Sequence, residues 1–234
     1  MSEEFQIELD GILIEVLRKR IRHINLKVSS PDGTVRISAP FRASLKSIRD
    51  FAVSKLGWIK KHQKKMKERM DSVPPEYFNR NNYMVLGELY PLKLMDSDSR
   101  PFVVLENGSL VLHAKAETSE EEREFIIEKW YRDRLKKELV PLVEKWEVTM
   151  GVKVRKVFIR RMKTKWGSCN YIDRNIRIST ELAKRPLKCL EYVVVHELAH
   201  LLERTHNSRF IEIMDRYLPD WRERNEELNR FPMR

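Results

Sequence analysis

The stretch Val193-Val194-Val195-His196-Glu197-Leu198-Ala199-His200-Leu201-Leu202 constrains this chain more than any other. It is apolar enough to be buried as a helix, yet it carries two imidazoles and a carboxylate, groups that leave water only when something satisfies them. At about 100° per residue, positions four apart share a helix face, so His196 and His200 can direct ring nitrogens at one ion. Glu197 is turned about a quarter turn away and is suited to reach a water beside that ion rather than the ion itself. The pattern predicts a metal-dependent hydrolase in which Glu197 is the general base.

A catalytic zinc ordinarily keeps three protein ligands and one open position, and His206 supplies the third here. On an unbroken helix, six residues beyond His200 is a net rotation of about 240°, on the wrong side, so the helix has to end first. Arg204 suits a helix C-terminus, and Asn207 or Ser208 suits the cap of a following helix. The spacing of the three histidines equals that of metzincins, but Glu203 stands where those enzymes place a turning glycine. A different turn therefore has to deliver His206, and Glu203 is a lesser candidate as a ligand or as a partner of one. Three of the six histidines fall within these eleven residues; His23, His62 and His113 are scattered and read as structural or solvent-facing.

The remainder of the chain says what surrounds this helix. Residues 5–39 alternate with a period near two, with Pro31-Asp32-Gly33 as a turn, and predict an antiparallel sheet. Leu45, Ile48, Phe51, Ala52, Leu56, Trp58 and Ile59 recur at helical spacing after Ser44, predicting an amphipathic helix over residues 44–70 that Pro74-Pro75 breaks. Short strands are expected at 84–86, 89–95, 102–105 and 110–113, as a resumption of the sheet. Thr118-Ser119 ahead of Glu120, Glu121 and Glu122 starts a helix that Gly151 ends, with Pro141 expected to kink or divide it near Val140. Strands are expected at 152–160 and 175–180, and helices from near Pro186, Asn207 and Asp220. No internal repeat is apparent. The fold class is α+β: a β-rich N-terminal region with one long helix over residues 1–115, then a mostly helical region with a small sheet over residues 116–234.

A length of 234 residues with 41% hydrophobic and 35% charged residues describes a chain that folds. No apolar run approaches the roughly 18 residues that cross a bilayer, and the acidic start lacks the features of a secretion signal, so no membrane partner and a cytoplasmic location are expected. Cys169 and Cys189 are too few for a disulfide framework and read as reduced thiols. The net charge of +11 favours anionic partners, nucleic acid among them. The Lys60, Lys61, Lys64, Lys65, Lys67 and Arg69 series is equally compatible with a solvated helix face.

The segments Lys163-Thr164-Lys165-Trp166-Gly167-Ser168-Cys169, Tyr192-Val193-Val194-Val195-His196-Glu197-Leu198-Ala199-His200 and His206-Asn207-Ser208-Arg209-Phe210 resemble the YgjP-like metal-dependent hydrolases. Ala39-Pro40, Trp58-Ile59 and Leu86-Gly87-Glu88-Leu89-Tyr90 extend the resemblance over the front half. Over the His196 to Phe210 segment alone the chain also resembles WLM proteases. The resemblance implies a zincin-like, minigluzincin-type core with a strand at Trp166 to Cys169 bordering the active-site cleft, and zinc or another divalent transition metal at the histidines. It implies either a peptidase or a UTP pyrophosphatase. Trp166, Gly167, Ser168, Lys163 and Lys165 are candidate substrate-binding residues, and Arg160 and Arg161 extend a basic cluster suited to phosphates. A nucleic-acid-binding protein with a structural zinc is a third reading, opposed by a ligand set of three histidines rather than four closed ligands. The substrate is therefore expected to be a peptide or protein, or a nucleotide.

Overall fold

A computed structural model describes residues 3–29, 33–71, 79, 81–162 and 164–230. Pro31, Asp32, the Pro74-Pro75 break and Lys163 lie outside the described residues. The chain divides into two compact units, Met1–Val73 and Pro74–Arg234.

In the first unit, β1 (Glu3–Leu9), β2 (Ile12–Lys19), β3 (Asn25–Ser29) and β4 (Thr34–Pro40) form a sheet of order β1-β2-β4-β3, followed by α1 (Leu45–Asp71). The sheet is not wholly antiparallel as the alternation suggested. β2 and β4 run parallel, because β3 intervenes in sequence and pairs antiparallel on the far side of β4. Period-two patterning reports which face is buried, not which neighbour is chosen. One face buries Ile14, Val16, Val35, Ile37 and Ala39 against Ile48, Ala52 and Ile59 of α1.

The second unit opens with β5 (Asn82–Val85), β6 (Glu88–Asp96), β7 (Phe102–Glu106) and β8 (Ser109–Ala114), in the order β5-β6-β8-β7 and followed by α2 (Glu120–Met150). This is a separate sheet, not a continuation of the first. Its pairings repeat those of the first sheet: an antiparallel hairpin, a parallel central pair and an antiparallel return. Glycines at positive φ close corresponding turns, Gly11 and Gly87, then Gly33 and Gly108. These turns and the two helix starts recur 75 or 76 positions later. The chain thus contains a ββββα repeat that the sequence reading missed, since the two copies share strand order and turn placement rather than residue identities.

α2 is capped by Ser119 and Glu122 in a reciprocal capping box and ends at Gly151. It is one helix through Pro141, not two meeting at Val140: losing one backbone donor does not end a helix held by buried Leu135, Leu139 and Val143 on either side. Beyond it, β9 (Lys156–Arg160), β10 (Gly167–Asn170) and β11 (Asn175–Ser179) form a sheet of order β10-β11-β9. β11 ends at Ser179, and Thr180–Lys184 forms a 3₁₀ turn. Then come α3 (Leu187–Ala199), α4 (Ser208–Tyr217) and α5 (Trp221–Leu228).

A single core joins Val85, Leu110 and Leu112 of the second sheet, Ile127, Leu135 and Leu139 of α2, Ile176 and Ile178 of β11, and Val193, Val194 and Leu198 of α3. The units accordingly divide at 73/74 rather than at 115/116, because β5–β8 share their core with the helices that follow them. The α+β class stands, with the β-rich half first.

Candidate metal centre

α3 is buried along most of its length, with Leu190, Val194, Val195, Leu198 and Ala199 fully inaccessible. The helix ends where the histidine geometry required: Ala199 is its last residue and His200 its C-cap. The backbone first tightens, as Leu201 N donates to Leu198 O (3.0 Å) and Leu202 N to Ala199 O (2.9 Å). Glu203 then shapes the exit without a left-handed backbone: its Oε1 accepts from Thr205 N (3.2 Å) and Thr205 Oγ1 (3.3 Å). Asn207 restarts the chain as the N-cap of α4, its Oδ1 accepting from Phe210 N (3.1 Å).

The outcome is convergence. One ring nitrogen from each of His196, His200 and His206 lies within 4.8 Å of the other two. Nε2 of His196 and Nε2 of His206 are 3.0 Å apart. A tetrahedral zinc about 2.0–2.1 Å from each nitrogen needs nitrogen separations of roughly 3.4 Å, so the histidines fit such an ion once the 3.0 Å pair opens slightly and any separation nearer the 4.8 Å limit closes. His200 Nδ1 sits 3.2 Å from the carbonyl oxygen of Glu203. That oxygen can only accept, so Nδ1 carries the proton and Nε2 keeps its lone pair for the site. Burial, with His200 and His206 nearby, pushes His196 down to about 3, and burial also lowers His200. Both rings are neutral donors near pH 7, the form a metal requires.

Phe210 lies beneath the group, its ring centroid 5.0 Å from His196, 4.8 Å from His200 and 4.7 Å from His206. The sequence reading gave it no role. An aromatic residue three positions after the Asn207 cap was the available signal. Tyr192, one turn before His196, meets that ring edge-on at 5.8 Å and stacks on Trp221. Burial, with Glu197 nearby, raises its phenol to about 12.

Glu197 is 5% exposed, and burial raises its carboxyl to about 8, opposed by the charge of Lys165. Its carboxylate lies directly against β10. A Cβ at position 167 would stand 2.5 Å from Glu197 Oε1 and 2.9 Å from both its Cγ and Cδ. β10 is an edge strand, paired antiparallel with β11 from Gly167↔Ile178 to Asn170↔Asn175.

The other substrate-binding candidates separate. Trp166 is half-buried over the guanidinium of Arg185 at 5.3 Å, and its carbonyl accepts from Ser179 N. Ser168 sits within β10 opposite Arg177. Of the basic cluster, Arg161 pairs with Glu128 on α2 at 3.6 Å and Arg160 lies over Phe158 at 5.9 Å. Only Lys165, among the described members, acts on Glu197. Cys169 and Cys189 are free thiols raised to about 11 by burial. His113 stacks on Phe102 and His62 on Trp58, and neither belongs to the histidine group. No helix among the described residues is long and apolar enough to cross a membrane.

Residues 22–231 match the YgjP-like metallopeptidase domain. Among solved structures, the metallopeptidase zymogen of Pyrococcus abyssi abylysin is similar at 21% identity over 41% of this chain and 99% of that one, with a TM-score of 0.36. The metallopeptidase zymogen of Methanocaldococcus jannaschii jannalysin is similar at 18% identity over 37% and 89%, with a TM-score of 0.34. No curated protein matches.

Proposed function

Since the chain belongs to the YgjP-like metallopeptidase family and is a metal-dependent hydrolase, we propose that it is a zinc peptidase in which His196, His200 and His206 hold the ion and Glu197 moves the proton. The observation that carries this reading is the meeting of three imidazoles with one buried carboxyl group beside β10. Among the described residues the ligand group comprises the three histidines alone, which favours an open catalytic site over a closed structural one.

A bound zinc ion supplies a Lewis acid for the substrate carbonyl and lowers the pKa of water. Glu197 accepts a proton as a water oxygen bonds to the carbonyl carbon, and returns it to the leaving nitrogen as the C–N bond breaks. A positive centre beside it favours the charged carboxylate, against the effect of burial, and so prepares it as a base. Among the described residues β10 has no second strand neighbour, and that edge can take an extended peptide as an added strand, bringing successive backbone carbonyls past Glu197. This supports a peptide or protein substrate over a nucleotide, for which Lys165 is the one described basic residue acting on Glu197.

The test is a parallel assay of zinc-reconstituted protein on unfolded proteins and on UTP, with Glu197→Gln as control. Cleavage of protein that disappears in the variant is the expected result. Pyrophosphate release from UTP that requires Glu197 and weakens in Lys165→Ala, without protein cleavage, would replace the peptidase with the nucleotide pyrophosphatase.

A further inference from the structure

Resting on the reading of Glu197 as the base, we propose that Gly167 is its positioning residue: the missing side chain at 167 is the space in which the carboxylate is held. Gly167 is the first residue of β10 and is not one of the glycines at positive φ, so backbone conformation does not demand it. A paired strand position gains nothing from glycine, which has no side chain to pack. Its partner across the sheet, Ile178, is fully buried, so the strand is fixed from that side. On the other side, a Cβ would come within 2.9 Å or less of three atoms of Glu197. One of these, Cγ, belongs to the stem and another, Cδ, is the carboxyl carbon itself, so turning the two oxygens about the Cγ–Cδ bond leaves both carbons in overlap. Glu197 is 5% exposed on a helix packed against β10 and β11, and the helix has little room to withdraw. Any residue larger than glycine therefore displaces the carboxylate itself. Gly167 acts on the reaction through Glu197 rather than by touching substrate.

The test is a double-mutant cycle of Gly167→Ala and Glu197→Ala, read by thermal unfolding of the metal-free protein, by zinc content and by steady-state kinetics on an unfolded protein substrate. Overpacking makes Gly167→Ala lower Tm by about 5 °C in the wild-type background. In the Glu197→Ala background the same substitution is expected to shift Tm by under about 1 °C, because the overlapping atoms are gone. If Gly167→Ala alone does not fold, recovery of the fold in the double variant reads the same coupling. Gly167→Ala is further expected to bind zinc as the wild type does and to lose about 100-fold in kcat, with KM within about twofold, the cost of a base misplaced by about an ångström. Equal Tm losses in both backgrounds, or an unchanged kcat, would overturn the proposal. Full turnover by Glu197→Ala, with the Tm coupling intact, would instead overturn the role of Glu197 and leave the contact standing.

Discussion

The two copies of the ββββα repeat differ most in the helix that follows the sheet. α1 buries Ile48, Ala52 and Ile59 on its own sheet, while Lys46, Arg49, Lys60, Lys61, Lys64 and Lys67 face outward. α2 buries Ile127, Tyr131, Leu135, Leu139, Val143, Trp146 and Met150, and packs against β7 and β8, the 3₁₀ turn and α3. The turns differ in the same sense. Asp10 occupies the left-handed turn position in the first copy, and Leu86 occupies it in the second. Leu86 packs on the core and donates its N–H to Ala183 O at 2.9 Å. One strand plan therefore serves as a module closed on one helix face, or as a platform when the helix is apolar over a wider band. The proposed metal centre stands on the platform: the sheet holds α2, α2 holds α3, and α3 carries His196, Glu197 and His200.

The sharpest way to break this comparison lies at the end of that chain of contacts. Phe210→Ala removes the ring touching all three histidines; it is expected to cost about 3–5 kcal/mol of stability and about 10–100-fold in zinc affinity. Unfolding and metal competition titrations measure the two. Zinc affinity equal to wild type would show that the histidines are held without it.

A matched pair comes next. Leu135→Ala in α2 and Ile48→Ala in α1 each empty a fully buried site, and each is expected to cost about 2–5 kcal/mol. Only Leu135→Ala is expected to weaken zinc binding as well. Equal effects of the two on zinc would remove the distinction between module and platform.

The smallest effect concerns the pairing of α3 with its neighbours. Glu191 accepts from Lys145 Nζ (2.9 Å), Trp146 Nε1 (3.0 Å) and Arg224 Nη1 (2.6 Å). Burial pushes its carboxyl up, but these donors together hold it below the usual carboxylate range. A group depressed in the folded state contributes stability above its unfolded pKa and loses it as pH falls through the folded value. Glu191→Gln is expected to flatten the acid side of the stability curve. An acid limb as steep as that of the wild type would contradict this.

What the sequence disclosed of the site was local. The same-face pairing of His196 and His200, the need for the helix to end after His200, and the cap at Asn207 all follow from spacing within one or two turns. The exit without a glycine at 203 was also foreseeable, but not the use of Glu203's carbonyl to orient His200. Contacts across long separations were not legible: nothing in the pattern sets Gly167 against Glu197, 30 residues away, and the parallel pairings of β2 with β4 and β6 with β8 leave the alternation unchanged. Pro141 suggested a break because propensity was weighed without the packing that overrides it. The repeat stayed hidden because burial and turn position are shared where side chains are not.

In the proposed mechanism three histidines bind the metal while Glu197 serves the reaction without binding it. Zinc per chain measured together with turnover, in the wild type and in Glu197→Gln, tests it most directly. Both proteins are expected to hold one zinc per chain, with turnover lower by about 100- to 10,000-fold in the variant. Wild-type turnover in the variant, or loss of its zinc, would contradict it.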